Sequence, residues 1–135
     1  MEQLIGQLRA AGDGTRLRLL LLLREAELTV SELTQILGQS QPRVSRHLKL
    51  LCAPGLIERF KEGNWVFYRA AERGPGAELG RTLAALADVE ENATLVHDRR
   101  RLAAVRGVIW RNDWLGWGQR FGRSPITIRS TPGDG

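Results

Sequence analysis

Sulfur is scarce in this chain: its 135 residues include one cysteine and one methionine. A single thiol excludes an intrachain disulfide framework and fits a reducing, cytoplasmic setting. Long apolar runs are missing too. Leu19 to Leu23 is followed at once by Arg24, far short of the roughly 20 residues that cross a bilayer, so no membrane partner is expected. The N-terminus MEQLIGQLRAAG is amphipathic and lacks the basic-then-apolar order of a secretory signal. Catalytic signatures are absent. No Ser, His and Asp occur in a motif context, and Gly12-Asp13-Gly14 is a turn without the GxxxxGK[ST] pattern of a phosphate loop. Neither an enzyme nor a cofactor is expected, and there is no internal repeat.

What remains is ordinary globular composition, 42% hydrophobic and 26% charged, enough for one domain with a real core. The net charge is +5 and the pI is near 10.6, which favours a polyanionic partner. That excess is not spread evenly. Residues 1–39 hold four Arg against five acids, and residues 71–106 hold six cations and six acids. Residues 40–70 hold Arg43, Arg46, Lys49, Arg59, Lys61 and Arg69 against only Glu58 and Glu62.

The same segment has the clearest pattern of local structure. Ser40 is a good helix N-cap, and Pro42 falls in the first turn, where a missing N–H is harmless. Val44, Leu48 and Leu51 recur at helical spacing and predict one buried face. Gln41, Arg43, Ser45, Arg46 and Lys49 take the other faces. Pro54-Gly55 stops the helix. Leu56–Phe60 and Trp65–Arg69 read as strands, joined by Lys61-Glu62-Gly63-Asn64 with Gly-Asn turn chemistry. Arginine can fork onto guanine and glutamine can pair with adenine in a major groove. Lysine and arginine on the hairpin can reach phosphates or a minor groove. The bland alternative, a solvated amphipathic helix, is opposed by the concentration of charge in this one segment.

Upstream, Leu4, Ile5 and Leu8 predict a short amphipathic helix that needs a partner surface, in its own domain or in a second subunit. Asp13 can cap a second helix over Thr15 to about Glu25, whose near-continuous leucines belong at the centre of the domain. Thr29-Val30-Ser31-Glu32 is a capping box for a third helix with a Val30, Leu33, Ile36 and Leu37 stripe and Gly38 as its C-cap. A short helix, a Gly turn and a second helix make a helix-turn-helix. Downstream, 72–76 reads as a loop. Ala77 to about Ala87 is helical, Asp88 to Asn92 is an acidic break, and Asn92 can cap a further helix to about Arg106. The cluster Arg99-Arg100-Arg101 reads as a solvated face with acids nearby. From Gly107 onward the chain is rich in Gly and Trp. Trp110, Trp114 and Trp117 could share one helical face packed on the body or on a partner, and the end beyond Phe121 looks disordered. The expected organisation is therefore a 1–106 domain and a 107–135 tail. The fold class is mostly α with a small β-hairpin, a winged helix-turn-helix.

GDGTRLRLLLLL, LTVSELTQILGQSQPRVSRHLKLL and GLIERFKEGNWVFYR, in that order, resemble the ArsR/SmtB family of bacterial transcriptional repressors over roughly residues 3–70. The resemblance implies a dimeric winged helix-turn-helix whose first and last helices pair the subunits, here the first helix and the 77–106 helices. It also implies double-stranded DNA as partner, an imperfect palindrome as operator, autorepression and release by an inducer. Carried over residue by residue, the DNA-contact positions are Ser40, Gln41, Arg43, Ser45 and Arg46, joined by His47 and Lys49. The wing positions are Lys61, Gly63 and Asn64, with Arg59 and Arg69 at its base. Two departures stand out. Gly14 replaces a proline common in relatives, and Cys52-Ala53-Pro54-Gly55 replaces a charged residue followed by Ala-Gly. The latter could shorten the recognition helix.

QSQPRVSRHLKLL and HDRRRLAAVR also resemble the N-terminal region of longer proteins with an SAM-dependent methyltransferase domain. The likeness stops after Arg106, so a truncated or frameshifted tail is one reading of residues 107–135. Thr29 and Ser31 stand where metal-sensing relatives place thiolates, and hydroxyls are poor ligands for soft metals. His97 and Asp98 are adjacent and point apart on a helix, short of the roughly three or four ligands zinc requires. Cys52 has no pairing cysteine and, at a helix C-terminus, no dipole to favour its thiolate. No metal is expected, and the sequence leaves open both whether a small-molecule effector exists and what it is. The readings left open are a DNA-binding repressor, a protein-docking winged helix and the regulatory remnant of a methyltransferase fusion.

Overall fold

The computed structural model describes residues 1–89 and 92–105. Its elements run α1 (Glu2–Ala11), α2 (Gly14–Glu25), α3 (Val30–Leu37), α4 (Gln41–Cys52), β1 (Ile57–Glu62), β2 (Trp65–Ala70) and α5 (Gly74–Val89). A last helical stretch, α6, covers residues 93–105. The expected Trp110, Trp114 and Trp117 face, Arg106 and the tail lie outside the described residues, as do Glu90 and Glu91.

The core forms around α2. Leu19, Leu20, Leu22 and Leu23 are all buried and meet Leu33 and Ile36 of α3 and Val44, Leu48 and Leu51 of α4. Five successive leucines, Leu19–Leu23, point to every side of α2 and must be surrounded there, and α2 touches α1, α4, α5 and β2. The caps anticipated from sequence are present. Asp13 accepts from Arg16 N–H at 3.1 Å. Thr29 and Glu32 form the reciprocal capping box, and Gly38 ends α3 at φ 68°. Ser40 caps α4 through a longer contact of 3.4 Å to Arg43 N–H. Asn92 accepts from Thr94 N–H and opens α6.

The hairpin is tighter than the sequence suggested. Lys61 pairs with Val66 and Glu62 with Trp65, so both extend the first strand and the loop shrinks to Gly63-Asn64. Gly63 sits at φ 61° and no non-glycine has positive φ. This is the requirement of a II′ turn, with glycine first, which matches the right-handed twist of paired strands. Helix α5 likewise begins at Gly74, earlier than the expected Ala77, because Pro75 fits the first helical turn. Its start lies hard against the end of α4. A Cβ on Gly76 would stand 2.1 Å from the Gly55 carbonyl oxygen.

Two outcomes bear on function. First, among the described residues nothing covers the stripe of α1. Leu4, Ile5 and Leu8 remain 49%, 45% and 48% exposed, whereas Gln7, Ala10 and Ala11 face inward. Second, Asp98 of α6 is only 1% exposed. The sequence places it among surface charges. The fold instead brings it to Arg18 of α2, whose Nε and Nη2 each donate to one carboxylate oxygen at 2.8 Å. Leu102 is buried beside it.

Candidate nucleic-acid interface

Helix α3, the Gly38 turn and α4 place α4 on the outside of the domain, held by Val44, Leu48 and Leu51, each fully buried. At 3.6 residues per turn, burying that stripe forces the polar faces outward. Ser40, Gln41, Arg43, Arg46 and Lys49 are exposed, and Ser45 and His47 are half-buried. Arg46 lies across the helix from the buried stripe. The end of α4 is closed by Leu56 N–H to Leu51 C=O and Gly55 N–H to Cys52 C=O, the paired bonds of a Schellman motif. Pro54 lies beyond the last helical residue, so α4 keeps its three turns.

The hairpin stands beside α4 and carries Arg59, Lys61, Gly63 and Asn64, all exposed. Arg69, expected at the base of the wing, is engaged within the domain. Its Nε donates to Glu58 at 3.0 Å, and Glu27 and Glu72 lie at 3.5 and 3.8 Å. The guanidinium also covers the Phe60 ring at 4.5 Å, over the stacked Phe60–Phe67 pair. Three carboxylates and an aromatic face occupy it, so here it braces the base of the wing. Glu27 lies before α3 and Glu72 after β2, which is why no local pattern revealed this.

Behind α4 runs a second polar network, which the sequence reading did not anticipate. Arg16 Nε donates to the Ala10 carbonyl at 2.6 Å, and its Nη1 stands 3.3 Å from His47 Nδ1. Since Arg16 can only donate, this contact makes Nδ1 the acceptor and leaves Nε2 carrying the proton. Burial pushes the His47 pKa down. Asp13 opposes that shift, while Arg16, Arg43 and Arg46 reinforce it. Asp13 is held below its ordinary value chiefly by the Arg16 N–H it accepts. Gln39 joins Thr15 to Arg43, accepting from Arg43 Nε at 3.0 Å and donating to Thr15 Oγ1 at 3.2 Å. Cys52 is half-buried, and burial raises its thiol pKa. His97 is exposed. Among the described residues, no group of three or more His, Cys, Asp or Glu is arranged to hold a metal ion, and no helix is long and apolar enough to cross a membrane.

The profile described as "Bacterial regulatory protein, arsR family" matches residues 13–59, from the cap of α2 into β1. An ArsR-like transcriptional regulator from Rhodococcus sp. RHA1 has the same fold, with a TM-score of 0.53 at 33% identity. That match covers 79% of this chain and 92% of the other. The chain belongs to the ArsR family.

Other ArsR-family comparisons agree. The arsenical resistance operon repressor of Escherichia coli (strain K12) is 50% identical over 64 residues, 47% of this chain and 55% of that protein. The homodimeric winged helix-turn-helix DNA-binding domain of Mb0332 from Mycobacterium bovis, a possible ArsR-family regulator, gives a TM-score of 0.59 at 28% identity. It covers 67% of this chain and 83% of the other. This ArsR-family chain spans about half the length of the curated relatives it matches.

Proposed function

We propose that this ArsR-family chain is a sequence-specific DNA-binding transcriptional regulator acting as a homodimer. One observation carries the reading: exposed cations gather on α4 and the adjoining hairpin. Elsewhere Arg18, Arg81 and Arg99 are paired with carboxylates, while Arg9, Arg73, Arg100 and Arg101 lie scattered on other segments. Arg43, Arg46, Lys49, Arg59 and Lys61 have no carboxylate within ion-pair distance among the described residues. A strip of unpaired cations repels itself, and it gains strongly when a DNA backbone releases counterions to meet it. In this reading Gln41, Arg43 and Arg46 of α4 read base edges in a major groove. Ser40, Ser45, His47 and Lys49 take phosphates, and Arg59, Lys61, Gly63 and Asn64 bring the wing to the backbone or minor groove.

The second copy is motivated by the bare α1 stripe. Leu4, Ile5 and Leu8, with Leu86 of α5 at 61% exposure, form apolar surface that a partner would remove from water. Two recognition helices about 34 Å apart would then read a near-palindrome, the expected arrangement of a dimeric helix-turn-helix. Autorepression follows if that site lies upstream of the chain's own gene. Residues 107–135 are a separate tail in this scheme, which limited proteolysis near residue 106 would check.

The test is a fluorescence-anisotropy titration against the DNA upstream of the gene, with scrambled duplex as competitor at two salt concentrations. Tight, selective binding that weakens steeply with salt is expected. Affinity no better than for scrambled DNA would refute the proposal in favour of a protein-docking role.

A further inference from the structure

We infer that Gln39 is a positioning residue that presets Arg43 for sequence reading and is itself anchored by Thr15. The inference rests on the DNA-binding reading above. Gln39 lies in the turn between α3 and α4, half-buried, and uses both ends of its amide. Its Oε1 accepts from Arg43 Nε at 3.0 Å, and its Nε2 donates to Thr15 Oγ1 at 3.2 Å. The amide fits only one way, because a guanidinium can donate but not accept. Thr15 stands in the first turn of α2, which is fixed by the Asp13 cap. The chain Thr15–Gln39–Arg43 therefore ties an exposed arginine to the best-packed helix of the domain.

Gln39 occupies Nε alone. Nη1 and Nη2, the two-pronged end that grips a guanine edge or a phosphate, are not used by this bond. A free arginine side chain loses rotamer freedom when it grips a base. One whose Nε is already held loses less, and presents its fork in one orientation. Neither Thr15 nor Gln39 need touch DNA for this to act.

The experiment takes a duplex enriched from a random library by the full chain and measures affinity for it relative to scrambled DNA. Gln39→Ala is expected to lower that ratio by about three- to tenfold, the effect of one charge-assisted hydrogen bond on an exposed group. Thr15→Val is expected to lower it less, in the same direction. In an Arg43→Ala background, Gln39→Ala should change nothing further. Gln39→Glu retains an acceptor for Arg43 and can accept from the Thr15 hydroxyl, which then turns donor, so it should keep the ratio while its added charge lowers both affinities together. An unchanged ratio in Gln39→Ala, or an equal loss with and without Arg43, would overturn the inference. If the unmodified chain enriches no sequence, the DNA-binding reading itself fails, an outcome distinct from a loss confined to the Gln39 variants.

Discussion

Replacing Asp98 by alanine is expected to loosen α6 from the domain. The carboxylate is 1% exposed, and it receives two parallel bonds of 2.8 Å from Arg18. Bonds to charged groups contribute roughly 1.5–3 kcal/mol each, before the desolvation of both ions is subtracted. Breaking a buried pair by deleting one partner leaves the other charge unpaired, a penalty of about 3–5 kcal/mol. Arg18 is 20% exposed, so water can partly reclaim it, which places Asp98→Ala at the low end, about 3 kcal/mol. The assay is urea unfolding followed by circular dichroism, for Asp98→Ala, Arg18→Met and the double variant. The double variant should be less destabilised than the sum of the singles, by about 2 kcal/mol, because the orphaned charge is then gone. Amide exchange should place the loss in α6, whose Leu102 is the buried residue next to the pair. A single-variant effect below about 0.5 kcal/mol, or strict additivity, would mean that the pair does not hold α6 down.

Three further perturbations follow from the geometry. Gly76→Ala drives a Cβ to 2.1 Å from the Gly55 carbonyl, so about 2–4 kcal/mol of destabilisation is expected; a melting temperature within about 2 °C of the parent would refute the close approach. The imidazole of His47 should titrate by NMR below its ordinary 6.5, since burial and three arginines disfavour its charge. Its folded pKa is depressed, so the stability it contributes is complete above 6.5 and falls away as pH drops through the folded value; a midpoint at or above 6.5, assigned with His47→Gln, would contradict this. Cys52, with its thiol pKa raised by burial, should react slowly with a disulfide reagent at pH 8 and rapidly in urea, whereas immediate stoichiometric labelling of the native chain would show an open thiol.

Much of this architecture is written in short-range patterns. The Asp13, Thr29–Glu32, Ser40 and Asn92 caps involve residues only two or three apart, so a linear reading finds them. Helical spacing assigned Val44, Leu48 and Leu51 to the core, and burying them left Arg43, Arg46 and Lys49 outside. The strip of cations on α4 and the hairpin was therefore legible before any coordinates. The same local logic slipped where an element's edge depends on its neighbour. Lys61 and Glu62 became strand because β2 pairs with them, and turn propensity alone does not report pairing.

What only the tertiary structure decided is which charged residues are free. By itself the sequence determined the order of helices and hairpin, because caps, periodicity and turn glycines act over a few residues. It made Asp98 and Arg69 look like surface charges, yet Asp98 meets Arg18 from 80 positions away, and Arg69 gathers Glu27, Glu58 and Glu72. Gln39 reaches Thr15 across 24 positions. An ion pair or amide bridge of this kind has no sequence period. It exists only once the leucines of α2 have drawn distant segments together, and burial then raises the penalty for leaving any of these groups unpaired.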